Sequence, residues 1–162
     1  MKCLVFSDSH GKEFLIERAL RKNPDAEVVF FLGDGLSGVD EIARANKDRM
    51  WIAVRGNCDF YSFLNDQEVK KSEEITLMGR KIFLTHGDIY FVKSGYDVIT
   101  NAAISRGADI VLFGHTHKVY EGYRDQNGEI YLFNPGSVAA PSSSFGIMTL
   151  TEKDVLFSHG KL

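Results

Sequence analysis

Four of the chain's five histidines stand directly after short apolar runs, in the company of Gly, Asp or Asn. His10 closes Ser7-Asp8-Ser9-His10 after Cys3-Leu4-Val5-Phe6, and His86 follows Ile82-Phe83-Leu84-Thr85. His115 and His117 frame Gly114-His115-Thr116-His117 after Asp109-Ile110-Val111-Leu112-Phe113, and two further runs end in Gly33-Asp34 and Gly56-Asn57-Cys58-Asp59. Histidines placed for packing would not recur at one position. Ligands gathered from parallel strand ends would, because those ends share one face of a sheet. The pattern reads as a metal site.

Neutral imidazoles mixed with carboxylates and one amide oxygen suit Mn, Fe, Ni, Co or Zn better than Ca. The absence of paired thiolates argues against a structural zinc finger. The candidates Asp8, His10, Asp34, Asn57, His86, His115 and His117 outnumber the usual protein ligands of one catalytic ion, so two ions sharing one carboxylate fit the count. Such a pair, about 3.5–4 Å apart, can bridge a hydroxide and clamp the oxygens of an in-line displacement at phosphorus. Against Asp8 and Asp34, two divalent ions leave about two positive charges, which a hydroxide and a phosphodiester monoanion would neutralise. Taken singly, each candidate could equally be a turn former or helix cap. Their joint recurrence carries the reading.

The elements that must position these residues are visible in the alternation of short apolar runs with helix-period segments. Buried strands are predicted near residues 2–6, 27–32, 50–54, 81–85 and 109–113. Helices are predicted over 12–22, with Phe14, Leu15, Ala19 and Leu20 on one face; over 38–47, with Val39, Ile42 and Ala43; and over 95–106, with Val98, Ile99, Ala102 and Ala103. After Gly114 the pattern turns to hairpins: 119–124 and 129–133 flank Asn127-Gly128, and 146–150 and 155–158 flank 151–154. One more hairpin, 75–78 with 80–84 around Gly79, leads into His86. A mostly parallel sheet continuing into antiparallel strands, with helices outside, predicts an α/β four-layer αββα sandwich.

At 162 residues the chain is expected to be a single domain, 1–162, with one core. A formal charge of −3, without a basic run, offers no footprint for anionic membrane or an extended nucleic-acid groove. Cys3 and Cys58 provide no disulfide framework and suit a reducing compartment. No signal peptide and no apolar stretch near the ~18 residues of a membrane span is present, so a cytoplasmic location is expected.

Asp8-x-His10, Gly33-Asp34, Gly56-Asn57-x-Asp59, His86-Gly87 and Gly114-His115-x-His117, in this order, resemble the calcineurin-like metallophosphoesterases. Short length, Asn57-Cys58-Asp59, Tyr90-x-Val92-Lys93 and Asn134-Pro135-Gly136-Ser137 narrow the resemblance to the small YfcE-like phosphodiesterase branch, over nearly the whole chain. By that similarity Asp8, His10, Asp34 and His117 would hold a first metal, and Asp34, Asn57, His86 and His115 a second, with Asp34 as the bridge. Asp34, Asn57 and His115 would carry catalysis directly, with His115 and His117 beside the pentacoordinate phosphorus. The implied activity is metal-dependent phosphodiester hydrolysis by a bridging hydroxide. The implied cofactors are two divalent transition-metal ions, manganese first, with Ni, Fe, Co or Zn as alternatives. The substrate would be a small phosphodiester, and relatives that form dimers or tetramers leave homo-oligomer formation open.

Three positions depart from the family pattern. Cys58 stands where many relatives carry the His that protonates the leaving oxygen, although Cys is common here in the YfcE-like branch. A site without that acid should favour diesters of acidic alcohols over ordinary monoesters. Asp88 replaces a His often found two residues after the His86 ligand, and Ser142 follows Pro141 where an Arg is common. Arg55 could reach a substrate phosphate or be a solvated or packing Arg. Asp59 could orient a His ligand or form a turn. Cys58 reads first as a packing residue, Tyr90, Phe91 and Lys93 as either entrance or surface residues, and His159 as a surface residue. Two other functions share the fold: a protein-binding scaffold similar to the retromer subunit, whose metal ligands are degraded, and a nuclease, which the missing basic groove disfavours.

Overall fold

Alternation within the apolar runs sets the layers. The computed structural model describes residues 1–61, 63–125 and 129–162. Its elements run β1 (Lys2–Phe6), α1 (Glu13–Lys22), β2 (Val28–Phe31), α2 (Leu36–Ala45), β3 (Met50–Ala53), β4 (Phe63–Leu64), β5 (Gln67–Glu68), β6 (Ser72–Leu77), β7 (Arg80–Thr85), α3 (Asp97–Arg106), β8 (Ile110–Leu112), β9 (Val119–Asp125), β10 (Glu129–Pro135), β11 (Ser144–Leu150) and β12 (Val155–Lys161). In β1 and β2, Leu4, Phe6, Val29 and Phe31 join the core beneath α1 and α2, whereas Cys3, Val5, Val28 and Phe30 join a second core with residues of the other sheet. In β7 and β8, Ile82, Leu84, Ile110 and Leu112 enter that shared core, while Phe83 and Val111 pack with Ile99 and Ala103 of α3. Strands buried on both faces need apolar residues at successive positions, which is why these runs lack a polar alternation.

One sheet has the order β12-β11-β1-β2-β3 and the other β6-β7-β8-β10-β9. The predicted αββα sandwich is the architecture observed. β1, β2 and β3 are mutually parallel, as are β7, β8 and β10, while β11, β12, β6 and β9 pair antiparallel. The hairpin of β9 and β10 forms as expected, and the Asn127-Gly128 turn assigned to it lies outside the described residues. No helix among the described residues is long and apolar enough to cross a membrane.

Several elements differ from the sequence expectation. Phe14 is 62% exposed, because α1 buries the face carrying Ile16, Ala19 and Leu20. Val98 is likewise solvent-facing, and α3 buries Ile99, Thr100 and Ala103. α2 starts two residues early, at Leu36, because the Asp59 carboxylate accepts the Gly35 and Leu36 N–H groups at 2.8 and 2.9 Å. A cap supplied from 23 residues away leaves no local signal. The β4–β5 hairpin was not predicted, although its turn residues Asn65 and Asp66 both take the left-handed conformation that such turns require.

That hairpin is tied to α2 through Asp40, a buried carboxylate that accepts the Asn65 N–H at 2.7 Å, the Arg44 Nε–H at 3.0 Å and the Tyr61 hydroxyl at 3.0 Å. Burial alone would raise its pKa, but these three donors together outweigh it and hold the carboxyl below its ordinary value. A depressed folded pKa means that the stabilisation is complete above the unfolded value of about 3.9 and is lost as pH falls through the folded one. Asp40→Asn should therefore cost about 2 kcal/mol at neutral pH and flatten the acid limb of stability, as read by urea unfolding across the acidic range. An unchanged acid limb would assign the acid sensitivity to other carboxylates.

Candidate metal centre

The C-terminal ends of β1, β2, β3, β7 and β8 deliver Asp8, Asp34, Asn57, His86 and His115 with His117 to one edge of the sandwich, where both sheets contribute. Asp8, Asp34 and His86 are buried, His115 is half-buried, and His10 and His117 are open to solvent. One carboxylate oxygen, Asp8 Oδ1, lies 3.1 Å from His117 Nε2, 3.8 Å from His86 Nε2 and 3.9 Å from His10 Nε2. Asp34 Oδ2 lies 3.4 Å from His86 Nε2 and 3.9 Å from His10 Nε2. Two groups with mutual donor distances suited to an ion result, Asp8–His10–His117 and Asp8–Asp34–His86. His115 joins through its Nδ1, 3.1 Å from His86 Nε2. Donor atoms bound at about 2.1 Å to a shared ion stand roughly 3–3.5 Å apart, so such spacings suit co-ligation.

Asp8 Oδ1 tests whether these residues fit a metal. It is buried and has no hydrogen-bond partner among the described residues, whereas Oδ2 of the same carboxylate accepts the Ser7 hydroxyl at 2.6 Å and the His115 N–H at 3.1 Å. A buried anionic oxygen left bare among three imidazoles needs a cation, and the mixed nitrogen and oxygen donors suit a divalent transition metal. His86 is prepared in the same sense. Its Nδ1 stands 2.7 Å from the Leu32 carbonyl, which can only accept, so Nδ1 carries the proton and Nε2 faces the carboxylates.

Electrostatics in the protein alone are consistent with this arrangement. For Asp34, burial favours the neutral acid, but the His86 ring and the Cys58 N–H outweigh it and hold the carboxyl well below its ordinary range. For His86, burial disfavours charge, yet Asp34, Asp8 and the Leu32 carbonyl raise its pKa. His115 is pushed down by burial, then by His86 and Lys93.

The loops that present these groups are held in unusual conformations. Asp8, His10, Asp34, His115 and His117 all have positive φ, between 42° and 66°. For residues other than glycine this region is disfavoured, and its concentration here marks loops shaped by what they present. Two glycines permit the approach of one loop to another: a Cβ at Gly56 would overlap the Asp34 carboxylate, and one at Gly114 would overlap the Ser7 hydroxyl.

Asp59 does the most positioning. Its carboxylate accepts the N–H groups of Asp34, Gly35, Leu36 and Gly56, all within 2.9 Å, and so joins the loop after β2 to the loop after β3. Its oxygens go to backbone N–H groups rather than to a ring nitrogen, and the Gly56 N–H closes a local turn, so of the two alternatives the sequence left open the turn role is the one that fits. The neighbouring Cys58 N–H donates to Asp34 Oδ1 at 2.8 Å, leaving Oδ2 to face His10 and His86. The Asn134-Pro135-Gly136-Ser137 segment plays a similar part: the buried Asn134 amide donates to the Gly114 carbonyl at 2.9 Å, and the Ser137 hydroxyl donates to the Asp8 carbonyl at 3.0 Å. Sequence reasoning missed the roles of Ser7, Asn134 and Ser137, although short polar residues beside Gly or Pro were a signal for them.

Other candidates stand further from the cluster. The Asn57 side chain is exposed, and its amide donates to Cys58 Sγ at 3.1 Å; a half-turn of the amide would present oxygen instead. The Cys58 thiol is exposed, and burial of its neighbourhood together with Asp34 raises its pKa. Asp88 follows Gly87 into a 3-10 turn, with Oδ2 3.7 Å from Lys71 Nζ and Oδ1 buried without a hydrogen-bond partner among the described residues. The Arg55 Nε–H is likewise buried without a partner among the described residues. Of the aromatic entrance candidates, Phe91 is largely exposed and Tyr90 packs edge-on against Phe83. His159, at the surface, nevertheless stacks on Phe133 and bonds the Asn134 carbonyl.

The family model described as "Calcineurin-like phosphoesterase superfamily domain" matches residues 1–155. The probable metallophosphoesterase YsnB of Bacillus subtilis is 32% identical over 154 residues, covering 93% of this chain and 85% of that protein. The phosphodiesterase YfcE of Escherichia coli is 30% identical, covering 96% and 90%. The solved structure of that phosphoesterase superposes with a TM-score of 0.68, covering 92% and 88% of the two chains. Vps29 of Entamoeba histolytica, solved complexed with zinc, shares the fold with a TM-score of 0.74 at 20% identity, covering 99% of each chain.

Because Asp59 touches no candidate ligand side chain, its removal separates positioning from ligation. Asp59→Ala should lower stability by about 2–3 kcal/mol through four unpaired N–H groups. It should also weaken metal binding roughly 10–100-fold in calorimetric titration with Mn. Undiminished affinity would show that other contacts suffice to hold Asp34.

Proposed function

The chain belongs to the calcineurin-like phosphoesterase superfamily, and from that membership we propose that it hydrolyses small phosphodiesters at a dinuclear metal centre held by Asp8, His10, Asp34, Asn57, His86, His115 and His117. The observation that carries the reading is Asp8 Oδ1, a buried carboxylate oxygen with no hydrogen-bond partner among the described residues, set among three imidazole nitrogens and beside a second buried carboxylate. Asp8, His10, Asp34 and His117 would hold one ion, and Asp34, Asn57, His86 and His115 the other. Asp34 Oδ2 supports its role as the bridge, since it faces His10 on one side and His86 on the other. When bound, two divalent ions, manganese first among Mn, Ni, Fe, Co and Zn, would acidify a shared water and draw charge from the phosphoryl oxygens.

The chain's own residues prepare the rest. Asp59 and the Cys58 N–H hold Asp34 in one orientation, and Ser7 with the His115 N–H holds Asp8, so neither carboxylate reorganises as charge develops at phosphorus. His115 and His117 lie on the solvent side of the buried carboxylates, where a phosphoryl group would arrive. Position 58 offers a thiol and no imidazole to protonate a leaving oxygen, which favours esters of acidic alcohols.

A scaffold of the Vps29 kind has no physical need for two buried carboxylates, one with a bare oxygen, so the structure favours the enzyme over that reading. The free thiols Cys3 and Cys58 suit a reducing cytoplasm.

Chelation should abolish turnover of an aryl phosphodiester and added manganese should restore it, while Asp34→Asn should lower kcat by at least about a thousandfold. Turnover that survives chelation would overturn the reading. Cys58→His should raise monoester turnover roughly 10–100-fold relative to diester turnover. A monoester rate left where it was would mean that the missing imidazole does not set the preference.

A further inference from the structure

A cleft of about 410 Å³ opens beside His117, lined among others by Lys118, Ser142, Ser144, His159 and Lys161. Its size is that of a small-molecule site. None of these five residues belongs to the ligand set. His159 and Lys161 are two apart on β12 and so share one face of the strand, and Lys161 pairs with Ser144 on β11.

This wall is fixed to the metal centre through shared backbone. The Ser144 hydroxyl donates to the Pro135 carbonyl at 2.8 Å. His159 Nε2 lies 2.9 Å from the Asn134 carbonyl, which makes Nε2 the protonated nitrogen, and the ring stacks on Phe133 at 4.7 Å. Asn134 in turn holds the Gly114 and Thr116 loop that presents His115 and His117. A group bound in the cleft is therefore registered against the centre by one continuous segment.

The charge of the cleft is distinctive. Among the described residues Lys118 and Lys161 have no ion-pair partner and no carboxylate side chain lines the cleft. The chain as a whole is acidic, at −3, and the adjoining centre carries Asp8 and Asp34. Two ammonium groups without an ion-pair partner among the described residues, with the exposed Ser142 hydroxyl, in a recess beside His117, match an anion displaced by a few atoms from the scissile phosphate.

We propose that this cleft is a subsite for one alcohol portion of the substrate, and that it selects phosphodiesters whose alcohol bears a further anionic group, a phosphate or a carboxylate. The proposal rests on the phosphodiesterase reading above and specifies its substrate class.

The test uses three p-nitrophenyl phosphodiesters with one leaving group and different tails: butyl, 3-carboxypropyl and 3-phosphonopropyl, turned over by the full chain loaded with manganese. The expected kcat/KM for an anionic tail exceeds that for butyl by roughly tenfold. The arm with the larger gain identifies carboxylate or phosphate as the anion. In Lys161→Glu the anionic-to-butyl ratio should fall to about one, and in Lys161→Arg it should be retained. A ratio near one in the unaltered protein, or one that survives Lys161→Glu, overturns the subsite while leaving the diesterase reading intact. If no diester is turned over, the diesterase reading fails and the subsite is judged by binding alone. Propylphosphonate titrated into metal-stripped protein should shift the amide resonances of Lys118, Ser142 and residues 159–161, and Lys161→Glu should remove those shifts. Shifts confined to the loops of Asp8 and His115 would overturn the proposal.

Discussion

Two carboxylates, Asp8 and Asp34, are held out of water where the strand ends of the two sheets meet, and the surrounding structure is organised around tolerating that burial. A buried charge left unpaired costs several kcal/mol. Part of the compensation is internal. The Ser7 hydroxyl and the His115 N–H serve one oxygen of Asp8, and the Cys58 N–H serves one oxygen of Asp34. In each residue the remaining oxygen points toward imidazole nitrogens. The internal donors thus stop at half of each carboxylate, and the unserved halves face one another across the space where a cation is required.

Holding that arrangement costs conformational energy in the loops. Five of the seven candidate ligands occupy left-handed backbone conformations, each disfavoured by about 1 kcal/mol or more for a residue with a Cβ. The offset comes from contacts that single out the same turns. Asp59 gathers four N–H groups from two loops, and Asn134 and Ser137 take hold of the loops bearing His115 and Asp8. Beneath them lies the inter-sheet core of Val5, Phe30, Leu84 and Leu112, which gives the loops a rigid base. Such loops hold donor atoms in place before any ligand arrives.

The strands and the candidate ligands were legible because both depend on local pattern. A run such as Cys3-Leu4-Val5-Phe6 can be buried only on both faces of a sheet, and a His, Asp or Asn at the end of each run lies where parallel strands finish. What was illegible depends on distant partners. The start of α2 is decided by Asp59, and Phe14 is exposed because the cores under α1 admit Ile16 instead. The role of Asp59 was left open between a His partner and a turn for the same reason, because only the folded path shows four N–H groups converging on it. The cleft beside His117 was equally invisible, since residues 118, 142 and 161 meet only after β11 and β12 have formed.

The position of β1 has a consequence for how the molecule is made. It is the inner strand between β2 and β11, pairing Lys2 with Thr149 and Val5 with Gly146. During synthesis, therefore, one long edge of β1 stays bare until residues 144–150 have emerged, with apolar side chains on both of its faces. Contacts of such sequence separation form slowly, and the half-made chain resembles an open-edged sheet vulnerable to association. The segment from Asn134 to Leu150 thus acts as the closing piece, since it completes the sheet and also brings Asn134 and Ser137 to the loops of His115 and Asp8. Nascent chains that stall between His117 and Asn134 carry every candidate ligand residue but lack the frame that makes a centre of them.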